Sequence, residues 1–130
     1  MQNKKIIENK KTIRLETKYK EKRFEEDIQC RYICLERCRI KDIIQGEEKK
    51  VLETLKSFSN SKELQTKTPH KLNKSDKLEK YYKMCKEYGT ENLFSVDVGN
   101  RNSKYRMLYS SIEGGKVCKI LALCTDETHR

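Results

Sequence analysis

No apolar run in the sequence approaches the ~20 residues that cross a bilayer, and Met1 to Lys11 lack the apolar stretch of a secretory signal. These absences argue against a helical membrane span and lead to the expectation of a cytoplasmic protein. Disulfides are rare in that compartment, so the six cysteines are read as reduced. There is no CxxC pair. Cys30, Cys34 and Cys38 recur every fourth residue, which aligns them only on a helix, and Cys85, Cys118 and Cys124 sit within apolar patterns. Small buried hydrophobes describe them better than zinc ligands do, so neither a metal site nor a cofactor is expected. Internal repeats are also missing. Tryptophan is absent and proline occurs once, at Pro69.

Charge is what the sequence has in excess. Charged residues make up 38% of the 130 and apolar ones 35%, with a formal net charge of +10. A chain of this length makes one domain with a lean core. Its basic surplus suits a polyanionic partner, because Lys and Arg on phosphate release counterions. The same surplus also serves solubility.

Residues 1 to about 30 read as a charged, apolar-poor arm. Tyr32-Ile33-Cys34-Leu35 is β-prone. Ile40, Ile43 and Ile44, then Val51, Leu52, Leu55 and Phe58, follow helical spacing, with Gly46 between two helices of a hairpin. A loop holding Thr68-Pro69 is expected to be extended, since proline pushes its predecessor out of the helical region. A further helix is predicted at about 75–88, with Asp76 and Glu79 as a capping box and Gly89 as its stop. Phe94, Val96 and Val98 alternate with Ser95 and Asp97, as in a strand with one buried face. Tyr105 to Tyr109 makes another strand, Glu113-Gly114-Gly115 a turn, and Val117 to Cys124 a central strand covered on both sides.

In their order and spacing these segments resemble the RelE/HigB superfamily of bacterial toxins. Arg39 to Ile44 and Glu47 to Leu55 are similar to that family's first helical pair, and Pro69-His70-Lys71-Leu72 to the loop before its second strand. Asn92 to Val98 stands in the place of its "LWELR" strand, Tyr105-Arg106-Met107-Leu108-Tyr109 matches its "YRvlY" strand, and Lys116 to Leu123 with the tail Thr125 to Arg130 is similar to its last strand and "KKT" end. The resemblance covers roughly residues 32 to 72 and 92 to 130. It implies an α+β fold, a helical hairpin packed on a small antiparallel sheet. That RelE-like domain would span 31–130, with arm 1–30 added before it and the helix near 75–88 inserted. Asp97 stands near where related strands carry an arginine.

The implied activity is a metal-independent RNA endonuclease, the toxin of a type II toxin–antitoxin pair cutting messenger RNA on the ribosome. A cognate antitoxin would be its protein partner, and no membrane is involved. Such cleavage needs a base for the ribose 2′-oxygen, stabilisation of phosphate charge, and an acid for the leaving oxygen. By resemblance Arg106 stabilises the phosphate through its forked donors. His70 and His129 are the acid–base candidates, histidine being the side chain that titrates near neutrality. Lys71, Lys104, Lys119 and Arg130 are candidate phosphate contacts, and Tyr105 a stacking platform. Each has a plainer account as surface charge, ordinary histidine or packing aromatic. Two other readings are a non-catalytic nucleic-acid-binding relative from a mobile element, favoured by Asp97 and the inserted helix, and a gyrase-inhibiting toxin of the ParE type.

Overall fold

The computed structural model of the protein describes residues 10–24, 32–99 and 103–126. Their order is α1 (Lys10–Lys20), β1 (Glu21–Arg23), β2 (Tyr32–Leu35), a 3-10 turn (Ile40–Asp42), α2 (Glu48–Ser57) and α3 (Ser61–Gln65). Then come β3 (His70–Lys71), a second 3-10 turn (Asp76–Leu78), α4 (Glu79–Glu87), β4 (Leu93–Asp97), β5 (Arg106–Ile112), a third 3-10 turn (Glu113–Gly115) and β6 (Val117–Thr125). The class is mixed α+β. The six strands form one sheet in the order β1-β2-β6-β5-β4-β3.

This sheet is mixed rather than antiparallel. Strands β4, β5 and β6 run antiparallel in sequence, as their spacing predicts, but β2 lies parallel to β6, Ile33 beside Cys118 and Leu35 beside Ile120. A parallel neighbour needs a crossover connection, and everything between β2 and β6 supplies it. The expected arm is partly built into the fold. α1 leads into β1, which pairs antiparallel with β2, and Tyr19 and Phe24 are buried in the main core. Those two aromatics, scattered among Lys and Glu, show no periodicity a sequence reading could catch.

Period-two alternation divides the buried side chains between two faces. Val96 and Val98 join Met107, Tyr109, Ile33 and Ile120 in a cluster with Val51, Leu55 and Phe58 around α2. Leu93, Leu108 and Leu121 face the other way and pack with Leu78, Tyr81, Tyr82 and Cys85 around α4. Phe58 meets Tyr109 edge-on, with ring centroids 5.1 Å apart, a favoured aromatic geometry. β4 is therefore covered on both faces, and Ser95 and Asp97 are buried along with the valines. The expectation of a single buried face fails because α4 returns over the sheet.

Two local details also differ from the sequence reading. The helical spacing of Ile40, Ile43 and Ile44 yields only a 3-10 turn, and α2 starts at Glu48. Ser75, not Asp76, precedes the first turn before α4, with no side-chain cap there. The stop at Gly89 is as expected. With φ +77, Gly89 donates to the Lys86 carbonyl and Thr90 to that of Cys85, the pattern of a Schellman ending. Gly99 answers a different need. The chain after β4 passes so close to α2 that a Cβ there would lie 3.0 Å from Lys50, and its N–H donates to the Thr54 hydroxyl at 2.8 Å. Among the described residues no helix is long and apolar enough to cross a membrane.

Cys34, Cys85 and Cys118 are buried. Burial raises the pKa of the Cys34 and Cys85 thiols and pushes Cys38 up to about 12, where Asp42 and Glu36 add to the effect. A thiol at that value is about one part in ten thousand thiolate at pH 8, and the thiolate is the reacting species. Native protein treated with iodoacetamide at pH 8 is expected to label Cys34, Cys38 and Cys85 far more slowly than urea-unfolded protein does. Equal rates in mass-spectrometric mapping would contradict the burial described here.

Candidate functional site

A carboxylate buried without partners costs several kcal/mol, so the environment of Asp97 is the place to begin. Asp97 ends β4 and pairs in register with Arg106, which begins β5. The Arg106 Nε stands 3.0 Å from Asp97 Oδ1, with side-chain exposures of 17% and 6%. This is a largely buried ion pair, not a surface one. Asp97 Oδ2 accepts a hydrogen bond from the Thr68 hydroxyl at 2.9 Å. Arg106 Nη1 is held close to home, donating to the carbonyls of Ser103 and Tyr105.

Thr68 holds this arrangement in a strained backbone. It precedes Pro69 and, instead of extending, adopts φ +52, which is costly for a β-branched residue. That conformation turns its hydroxyl onto Asp97 and its carbonyl onto His70, whose Nδ1 donates to it at 3.1 Å. A carbonyl only accepts, so Nδ1 carries the proton and the neutral ring keeps its lone pair on Nε2. Nε2 lies 3.4 Å from the hydroxyl of buried Ser95, its register partner on β4. His70 itself is exposed. Its ring is oriented at both nitrogens, Nδ1 by the Thr68 carbonyl and Nε2 by the Ser95 hydroxyl.

Register places His70, Ser95, Asp97 and Arg106 on one face of the sheet. Helix α4 covers the part of this face around Leu93, Leu108 and Leu121, while His70 on the edge strand is exposed. The backbones of His70 and Arg106 are roughly 12 Å apart, two strand spacings across and two residues along. From opposite sides both side chains reach over β4, one to Ser95 and the other to Asp97. A base and a guanidinium therefore flank the same stretch of β4.

The other candidates are dispersed. Lys71 is exposed and pairs with Phe94, so alternation turns it away from His70. Tyr105 packs against the α2 core, on the opposite face from Arg106, with the Lys104 ammonium 5.5 Å from its ring centroid. Lys119 pairs with Ser110 toward the far end of β5 and forms a 3.0 Å ion pair with Glu36. Burial opposes its charge, but the hydrogen bond with Glu36 and the neighbouring Cys34 outweigh this and raise its pKa. It is engaged in structure. His129 and Arg130 lie outside the described residues.

Thr68 and Ser95 were not legible as site residues. The one trace in the sequence is the Thr-Pro dipeptide, which marks an unusual backbone without saying which side chain it aims. Among the described residues no group of three or more His, Cys, Asp and Glu is placed to hold a metal.

Removing one partner from a buried ion pair strands the other charge and costs ~3–5 kcal/mol. Asp97→Ala is therefore expected to lower unfolding free energy by about that amount in urea titrations. Thr68→Val, which keeps the shape but not the hydroxyl, is expected to cost about 1–3 kcal/mol. An Asp97→Ala midpoint equal to that of the wild type would mean that the pair does not hold β4 to β5.

Comparison with protein-family models, with curated proteins and with solved structures finds no match to this chain.

Proposed function

We propose that the chain is an RNA-acting protein of the RelE/HigB type, a metal-independent endoribonuclease serving as the toxin of a type II toxin–antitoxin pair, with messenger RNA on the ribosome as its target. The observation that carries this reading is the shared face on which an oriented, basic His70 Nε2 and the Arg106 guanidinium flank one stretch of β4. The antiparallel run of β4, β5 and β6 after a strand, helices and a loop supports the reading, alongside α1, β1, α4 and the parallel β2–β6 pair that the resemblance does not include.

The chemistry follows from the two groups. His70 Nε2 takes the proton of a ribose 2′-hydroxyl, and the 2′-oxygen attacks the adjacent phosphorus. Arg106 faces the charge that develops on the phosphoryl oxygens. The bond from phosphorus to the 5′-oxygen breaks, that oxygen takes up a proton, and a 2′,3′-cyclic phosphate is left. His129 in the tail is the proposed proton donor. An antitoxin segment covering this face would silence it.

A second reading has a specific observation in its favour. Asp97 already neutralises Arg106, and two backbone carbonyls take its Nη1 donors. A guanidinium so committed must exchange partners to serve a phosphate, which favours a relative that binds RNA without cutting it.

Arg106→Ala is a poor first test, because it also strands Asp97. His70 is exposed, so His70→Ala leaves the fold intact and reports on chemistry. Induced wild-type protein is expected to arrest growth and generate new messenger RNA ends, and His70→Ala to slow cleavage by about 100- to 10,000-fold without changing the melting temperature. Arg106→Lys is expected to fail as well, since a point charge does not reproduce the forked donors. RNA that is bound but never cut by wild-type protein, with or without ribosomes, would select the non-catalytic reading.

A further inference from the structure

A groove of about 350 Å³ opens between the chain after β2, helix α4 and strand β6. Its walls carry Arg37 and Arg39 on one side and Lys80 and Tyr81 on the other, and Ala122 and Cys124 lie along its floor. The volume is at the lower end for small-ligand clefts, room for one planar group rather than a helix or a second strand.

We infer that this groove takes one unpaired nucleotide of an RNA strand, its base against Ala122 and Cys124 and its flanking phosphates on Arg37, Arg39 and Lys80. The proposal rests on the RNA-directed reading above and adds the conformation of the RNA and a second place of contact.

Three observations lead there. Charge is the first. Three cations line the groove against two carboxylates, Asp42 and Asp126, and the partners of its arginines are exposed: Glu87 lies 2.8 Å from Arg37, with side-chain exposures of 51% and 65%, and Asp42 lies 3.7 Å from Arg39. Exposed ion pairs of this kind are worth little, so a phosphate displaces the carboxylates at small cost. The second is strain. Arg37 sits at φ +61, unusual for a residue other than glycine, and this fixes how the chain after β2 turns along the groove. The third is continuity. The floor runs along β6 to Thr125, the register partner of Arg106, which brings the groove to the strand that carries the guanidinium. The Lys80 ammonium lies over the ring of the buried Tyr81, 5.0 Å from its centroid, which holds this cation at the groove's wall.

A paired base has its Watson–Crick edge occupied and its neighbours stacked, so a duplex does not enter a one-residue groove. Single-stranded RNA does.

The test is fluorescence anisotropy with a labelled eight-nucleotide single-stranded RNA and a hairpin duplex of the same composition, using full-length wild-type, Arg37→Gln, Lys80→Gln and Lys62→Gln proteins. The single strand is expected to bind at least about tenfold more tightly than the duplex. Arg37→Gln and Lys80→Gln are each expected to weaken it by about tenfold and to reduce the salt slope by about 0.7, with unchanged melting temperatures. Lys62→Gln, at an exposed position on α3 that is not part of the groove, is expected to bind as the wild type does. Wild-type affinity in both groove variants, or equal affinity for the duplex, would overturn the groove assignment while leaving RNA as the ligand. Failure of the wild-type protein to bind either RNA would overturn the groove and the RNA-directed function together.

Discussion

A carboxylate with 6% of its side chain exposed has to be compensated where it stands, and the way Asp97 is compensated organises one end of the molecule. Its charge fixes Arg106 at the start of β5, and its second oxygen fixes the Thr68 hydroxyl. Thr68 then holds a left-handed backbone from which its carbonyl orients the His70 ring. The segment that becomes β3 is thereby drawn onto β4, with the Asp97 N–H donating to the Lys67 carbonyl at 2.7 Å. One buried acid ties together two strand ends, an edge strand and a histidine.

The same pair sets the chemical question for the face. A guanidinium serves a phosphate best when its fork is open, and here Asp97 holds the Nε side. A phosphodiester would compensate Arg106 in place of Asp97, but full exchange strands the buried Asp97 carboxylate, so a shared guanidinium costs less than a surrendered one. The exchange still has to overcome a good local arrangement, including the Thr68 hydroxyl. Catalysis and mere binding thus differ here by the depth of one ion pair.

Much of the architecture follows from local pattern. Alternation in β4 and β5, the apolar run of β6 and the stripe of α4 each produced the expected element, since each buries a continuous apolar face whatever surrounds it. What stayed hidden depended on distant partners. Nothing near Tyr19 or Phe24 indicates that they bury themselves beside β2, and nothing near Ile33 indicates a parallel neighbour almost ninety positions later. The site was legible in the same uneven way. His70 and Arg106 stood out by residue type, and the sheet register brings them to one face. Tyr105, the expected stacking platform, is next to Arg106 in the sequence, but adjacent residues on a strand point to opposite faces. Asp97, which in the sequence only argued against an unaltered site, is the residue that positions the others.

The most direct measurement is side-chain NMR of His70 and Arg106 during titration with a single-stranded oligoribonucleotide carrying 2′-deoxy substitutions, which is bound but not cut. The account predicts that the His70 ring resonances and the Arg106 Nε–Hε resonance shift together and saturate with the bound fraction, as phosphate replaces or joins Asp97. Saturable RNA binding that leaves both sets of resonances unmoved would contradict it, because the RNA would then lie away from the face that Asp97 organises.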